Sequence, residues 1–300
     1  MIYDLTDHIR ISPESLNQGT FNLWCPVVPD TPYQRVLDFG VEASCSCQLL
    51  YEPEHGNRIL HAGLELLASP VEISIRYRVE RLSVEHHLGP AVALPEPARG
   101  VMSRWLSAEQ FVDVNDETKS IAFQLAGGCN DPIEIARRYY DYVVGSMTYD
   151  AANQSWKGST EHALVCSAGN CNDIHALFIS LCRSKGIPAR LVLGQALETP
   201  DGGEEACDLC GYHCWAEFFV AGAGWLPADA SCACKYGKHQ LFGDLEMNHV
   251  AWSTGRDIKL FPAQQGQPLL FFAGPYAELD GKRFSKIERH IRFNIVEDKT

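Results

Sequence analysis

The chain has no apolar run approaching the roughly 18 residues that cross a bilayer, which excludes a helical membrane protein. Its opening, Met1-Ile-Tyr-Asp-Leu-Thr-Asp-His, lacks the basic and apolar regions of an export signal, so a cytoplasmic location is expected. Basic residues are scarce: 25 Lys and Arg stand against 38 Asp and Glu, a formal net charge of −13. A protein that grips phosphate backbones carries the opposite balance, so no nucleic-acid partner is expected. Internal repeats and low-complexity segments are also missing. Twelve cysteines in 300 residues are too few for a disulfide scaffold. In a reducing compartment such thiols are buried, metal-bound or catalytic.

The 46% hydrophobic and 21% charged composition is that of a folded chain, and its length fits about two domains. Strand signals fill the first hundred residues. In Val71-Glu-Ile-Ser-Ile-Arg-Tyr-Arg-Val79 apolar and polar residues alternate strictly, the period of a strand with one buried face. Further short runs at 21–27, 33–39, 43–51 and 59–66, divided by Pro, Gly, Asn and Asp, predict an antiparallel sandwich. The proline-rich stretch 88–97 reads as a linker.

Helical signals follow it. Asp131-Pro-Ile-Glu134 joins an N-cap, a first-turn proline and an acid, and Ile133, Ala136, Tyr140, Val143 and Val144 mark one face as far as Gly145. A second helix is predicted from about 171 to 185 on Ile174, Leu177, Phe178, Leu181 and Cys182, stopped by Gly186-Ile-Pro188. Strands are predicted at 189–194, 213–220 and 225–230, then at 269–276 and 287–296, the last two joined through the turn Asp280-Gly281. The fold class expected is α+β, an N-terminal sandwich over residues 1–100 and a second domain over 101–300.

Three residues carry the chemistry. Cys171 stands at the predicted start of the second helix, where unpaired N–H groups and the helix dipole stabilise a thiolate and an oxyanion. Taken alone, it reads first as an inert half-buried thiol. In the hairpin 213–230 a turn near residues 221–223 sets His213 opposite Asp229, give or take a residue or two. A carboxylate there fixes the tautomer and orientation of an imidazole able to pair with Cys171. Asp173 and His175 either tune the thiol or are a solvated first-turn acid and a partly buried histidine. Glu217 reads as a structural pair or a substrate contact, and Trp215 and Trp225 as core or groove walls. A second oxyanion donor is sought among the polar residues from Gln154 to His162.

The hairpin register also brings Cys207 and Cys210 towards Cys232 and Cys234. Four thiolates suit zinc, but the Cys-x-Cys bite is tight, so these are read as free thiols and neither metal nor cofactor is expected. Strand alternation accounts for Cys45 and Cys47.

Over about residues 110–300 the chain resembles the bacterial branch of the transglutaminase-like superfamily of papain-like cysteine enzymes. The resemblance rests on Gly169-Asn-Cys171-Asn-Asp-Ile-His-Ala-Leu-Phe and Arg183-Ser-Lys-Gly-Ile-Pro-Ala-Arg190, then Gly211-Tyr-His213-Cys-Trp-Ala-Glu217 and Gly224-Trp-Leu-Pro-Ala-Asp229. It implies a helix bundle packed on an antiparallel sheet, preceded by a β-rich domain. It implies Cys171 as nucleophile, His213 as base and Asp229 as orienter, acting on peptide or protein amides through a thioester. Hydrolysis and amine transfer both stay open, with hydrolysis favoured by the resemblance. The oligomeric state is open too. The readings from other classes are a binding or scaffold protein retaining the fold and an amidase acting on glycosylated asparagine.

Overall fold

The computed structural model describes residues 1–12, 19–65, 70–84, 94–198, 209 and 211–296. Two compact units are present: Met1–Leu82 with Leu193–Tyr212 and Met247–Thr300, and Ser83–Val192 with His213–Glu246. The division is therefore not the expected one into consecutive blocks 1–100 and 101–300. The chain leaves the first unit and returns to it, and its C-terminal strands belong with the N-terminal ones. The expected linker 88–97 lies largely outside the described residues, and the helix α1 (Glu96–Val101) covers its end.

The first unit opens with strands β1 (Ile2–Ile11), β2 (Phe21–Val27), β3 (Gln34–Ala43), β4 (Gln48–Tyr51), β5 (Arg58–Leu64) and β6 (Val71–Arg81). In β6 the alternation buries Val71, Ile73, Ile75, Tyr77 and Val79 and turns Glu72, Ser74, Arg76, Arg78 and Glu80 to the other face. β1 alternates too, with Tyr3, Leu5, Asp7, Ile9 and Ile11 inside, although its sequence pattern is broken by the acid. Asp7 is fully buried and bound through both oxygens to Arg289, at 2.9 and 2.7 Å.

The second unit adds helices α2 (Asp116–Ala126), α3 (Pro132–Ser146), α4 (Thr160–Cys166), α5 (Cys171–Ser184) and α6 (Ala230–Tyr236). Its strands are β7 (Thr148–Tyr149), β8 (Ala168–Gly169), β10 (His213–Val220) and β11 (Gly224–Ala228), with β9 (Ala189–Ala196) beginning in this unit. Asp131 caps α3 by accepting from the N–H groups of Ile133 and Glu134, with Pro132 in the first turn. Ile135 and Tyr139 share its buried face with Ala136, Tyr140 and Val143, so the face is rotated from the one expected. From Cys171 to Arg183 every residue of α5 is buried, because α2, α3, α4, α6 and β10 all pack on it. An all-round buried helix differs from the one-sided amphipathic helix expected, and its polar residues must be satisfied inside.

Back in the first unit, β12 (His249–Thr254) is followed by β13 (Tyr276–Leu279), β14 (Lys282–Phe284) and β15 (Glu288–Val296). Asp280-Gly281 does turn a hairpin, but it joins β13 to β14. Leu269 makes only an isolated bridge with Ile258. β15 pairs antiparallel with β1, giving one sheet in the order β15-β1-β6-β3 and a second in the order β14-β13-β2-β5-β4. A shared core of Leu5, Ile9, Ile75 and Phe293 with Phe21, Leu23, Leu60 and Ala277 lies between them. This is the expected antiparallel sandwich, and the chain as a whole is α+β.

Candidate active site

The site is built at the start of α5. Asn170 caps the helix, accepting from the N–H groups of Asn172 and Asp173 while Asp173 returns a bond to the N–H of Asn170. Asp173 is fully buried rather than solvated. Its carboxylate also accepts from the Ser155 hydroxyl and from the N–H groups of Ser155 (3.2 Å) and Ser159 (2.9 Å), so it ties the 155–159 loop to the helix. Asn170 donates its amide to the Gln154 side-chain oxygen, which brings that loop alongside the cap. Glycine is required just before it: a Cβ on Gly169 would stand 2.6 Å from the Asp173 side chain.

Cys171 occupies the first helical position and is 7% exposed. Its thiol hydrogen-bonds Cys214 and His213. The bond to Cys214, then the bond to and charge of His213, hold it well below the usual thiol range against the opposing effect of burial. Cys214, fully buried, also lies 3.3 Å from Asn172 Oδ1 and 3.7 Å from His175 Nδ1. Its single proton serves either Asn172 or the Cys171 sulfur.

His213 opens β10, and its Nε2 is 2.7 Å from Asp229 Oδ2. Burial would lower the imidazole, yet the Asp229 carboxylate, with its charge and hydrogen bond, raises it well above the usual histidine range. Asp229 reaches this position by a route the sequence did not show. β10 and β11 pair Ala216 with Ala228, so the ladder ends before His213. Asp229 is instead the N-cap of α6, accepting through Oδ1 from the Cys232 N–H (2.9 Å) and the Ser231 hydroxyl (2.8 Å). The cap aims the other oxygen at His213. Tyr140 donates to its backbone carbonyl at 3.3 Å.

His175, one turn beyond Cys171, is fully buried rather than partly so, with Nε2 3.5 Å from Asp229 Oδ1. Asp229 thus stands between two imidazoles. Cys232 projects from α6 to place Sγ 3.8 Å from His213 Nε2. Burial raises the Cys232 thiol, and that of Cys234 to about 11. Cys207 and Cys210 lie outside the described residues, so the four-thiol cluster has only its Cys232–Cys234 half in view. Glu217 is a structural pair: it accepts from Arg190 at 2.7 Å, and Arg190 in turn covers the Trp225 ring at 4.0 Å. Trp215 is core, fully buried, and its ring centre is 6.1 Å from that of His213.

Cys214 and Tyr149 are neighbours that spacing did not single out, and Cys232 was read only as one of the four thiols. Tyr149 enters because β7 pairs in parallel with β8, setting it against Gly169, and the Cys171 charge adds to the burial that raises its hydroxyl.

Comparison with known proteins agrees with this core. Residues 119–230 match the profile of the Transglutaminase-like superfamily. A crystal structure from Cytophaga hutchinsonii, of a protein whose own designation as a cysteine protease is a proposed one, superposes with a TM-score of 0.65. It is 17% identical and covers 100% of this chain and 92% of its own. A Haemophilus influenzae protein described as uncharacterized is 23% identical over 99% of this chain and 91% of its own length. The periplasmic domain of TgpA from Pseudomonas aeruginosa aligns with 77% of this chain and 98% of its own at 13% identity and a TM-score of 0.39. The likeness to the Transglutaminase-like superfamily thus spans residues 119–230, the segment that carries Cys171, His213 and Asp229.

Proposed function

We propose that this chain is a cysteine-nucleophile amide hydrolase or acyl-transferase acting on peptide or protein amides, with Cys171, His213 and Asp229 as its catalytic residues. One observation carries the reading. A thiol at the first position of a buried helix hydrogen-bonds an imidazole whose Nε2 is 2.7 Å from a fully buried carboxylate. Nε2 is committed to Asp229, which leaves Nδ1 of His213 to exchange a proton with Cys171.

The lowered thiol and raised imidazole favour a thiolate–imidazolium pair at rest. The thiolate attacks the amide carbonyl carbon, and negative charge develops on its oxygen. The Asn170 cap occupies the N–H groups of Asn172 and Asp173, whereas that of Cys171 is not engaged by it and can meet the oxyanion. Imidazolium Nδ1 then protonates the departing amine, the carbon–nitrogen bond breaks and a thioester remains. Neutral His213 next draws a proton from water or from an acceptor amine, which attacks the thioester and frees Cys171. Water gives a hydrolase, and resemblance favours it.

A reducing, cytoplasmic setting suits this chemistry, and ten free cysteines are found among the described residues. Among those residues no helix is long and apolar enough to cross a membrane.

The test is a peptide-substrate library run with and without a primary amine, with intact-mass detection of the acyl-enzyme. Wild type is expected to accumulate a thioester that maps to Cys171, and Cys171→Ala to form none. A thioester on any other cysteine, or turnover undiminished in Cys171→Ala, refutes the assignment.

A further inference from the structure

A thiol that the proposed triad does not need lies against it. Cys232 is in the first turn of α6, three residues beyond Asp229, and its N–H holds Oδ1 of that carboxylate at 2.9 Å. The bond fixes the start of the helix and so the direction of the side chain. Sγ comes to 3.8 Å from His213 Nε2, the same nitrogen that meets Asp229 Oδ2 at 2.7 Å. Within this trio the ligand atoms all lie within 4.8 Å of one another, and Cys232 and Asp229 are buried.

Imidazole nitrogen, carboxylate oxygen and thiolate are the donors zinc takes. With bonds of about 2.0–2.3 Å, tetrahedral ligand atoms sit roughly 3.3–3.7 Å apart. The sulfur is already near that separation from the nitrogen. Nitrogen and oxygen have only to part by about half an ångström, once the proton between them has left.

We propose that His213, Asp229 and Cys232 form a reversible zinc site superimposed on the triad, and that zinc bound there switches the enzyme off. On binding, the Cys232 thiol and His213 Nε2 each release a proton to solvent, and the metal takes the two electron pairs. A neutral imidazole metallated at Nε2 keeps its remaining proton on Nδ1. It then has no lone pair for the water or amine that resolves the thioester, and its N–H is a much weaker acid than imidazolium. The carboxylate that oriented the ring is occupied as well. The metal-binding half of this proposal stands on the geometry alone, and the inhibitory half rests on the catalytic reading above.

The full chain, freed of metal with a chelator and kept reduced, is titrated with zinc chloride against a chromogenic zinc indicator, and separately with cobalt chloride in an absorption spectrometer. Stoichiometric zinc uptake is expected, with a sulfur-to-cobalt charge-transfer band in the near ultraviolet. Cys232→Ala and His213→Ala should each weaken uptake by about tenfold or more, and Cys232→Ala should lose the band. Cys234→Ala should keep both. Absence of saturable uptake, a cobalt spectrum of wild type without the sulfur band, or a Cys232→Ala variant that binds as wild type does overturns the site. The wild-type spectrum decides even where a variant fails to fold. Zinc uptake by these ligands with undiminished thioester formation and turnover overturns the inhibitory half. Zinc uptake in a protein that never forms a thioester leaves the site standing and refutes the catalytic reading instead.

Discussion

Asp7 in the first unit and Asp229 in the second are both fully buried, and their charges are met in different ways. Asp7 is held through both oxygens by the guanidinium of Arg289, which stays protonated at any ordinary pH. Asp229 faces two imidazoles, His213 at 2.7 Å and His175 at 3.5 Å, together with a backbone N–H and a hydroxyl. A fork between fixed charges makes a structural strut. A carboxylate among groups that take up and release protons can share its charge with a reacting centre. The desolvation problem is the same in each, and the choice of cation decides whether the burial serves stability or chemistry.

Breaking the second arrangement should have the larger effect, on rate. Asp229→Asn keeps a side chain that caps α6 well, so the melting temperature should stay close to that of wild type. Thioester formation should slow by about 10⁴-fold, roughly 5.5 kcal/mol in the barrier. Stopped-flow acylation beside a thermal melt reads both. A large loss of stability with an unchanged rate would make Asp229 a strut like Asp7.

Breaking the first arrangement should do the reverse. Asp7→Asn strands Arg289 in the sandwich and should cost about 3 kcal/mol, the lower end because the arginine side chain is 17% exposed. Urea unfolding measures it, and alkylation of Cys171 should be unaffected. The double variant Asp7→Leu/Arg289→Met sharpens the point, since removing both charges should restore most of the loss. The smallest effect expected is that of Asn115→Ala. It removes the reciprocal cap that Asn115 and Thr118 make on α2, and should cost about 1 kcal/mol with no change in Cys171 reactivity.

These two aspartates also mark where the sequence was readable. The alternation of β6 and the helix start at Cys171 are local patterns, and both were legible. β1 was not, because Thr6-Asp7-His8 breaks the apolar alternation and the residue that makes Asp7 tolerable lies 282 positions away. His213 and Asp229 were paired correctly from topology, but for the wrong local reason. The sequence Ala230-Ser-Cys-Ala-Cys-Lys-Tyr236 forms a seven-residue helix, too short to show a periodic face, and capping by Asp229 replaces the extended hairpin. The same helix turns Cys232 towards His213. Burial of Asp173 and His175 was hidden because helices on several sides cover α5, and a one-dimensional pattern reports only the strongest face.

Asp229, acting through His213 and beside the Cys214 hydrogen bond, is expected to help keep Cys171 ionised. The thiol lies well below and the imidazole well above their usual ranges, so the ion pair should persist as pH falls through the range where an ordinary thiol becomes protonated, and be lost only below the lowered thiol value. The direct measurement is the rate of Cys171 alkylation by iodoacetamide against pH, followed by peptide mass mapping in wild type, His213→Ala and Asp229→Asn. Wild type should stay reactive at about pH 6, where ordinary thiols with pKa near 8.5 are protonated, and both variants should move back towards that ordinary titration. A wild-type profile that rises only around pH 8.5, the same in all three proteins, would contradict it.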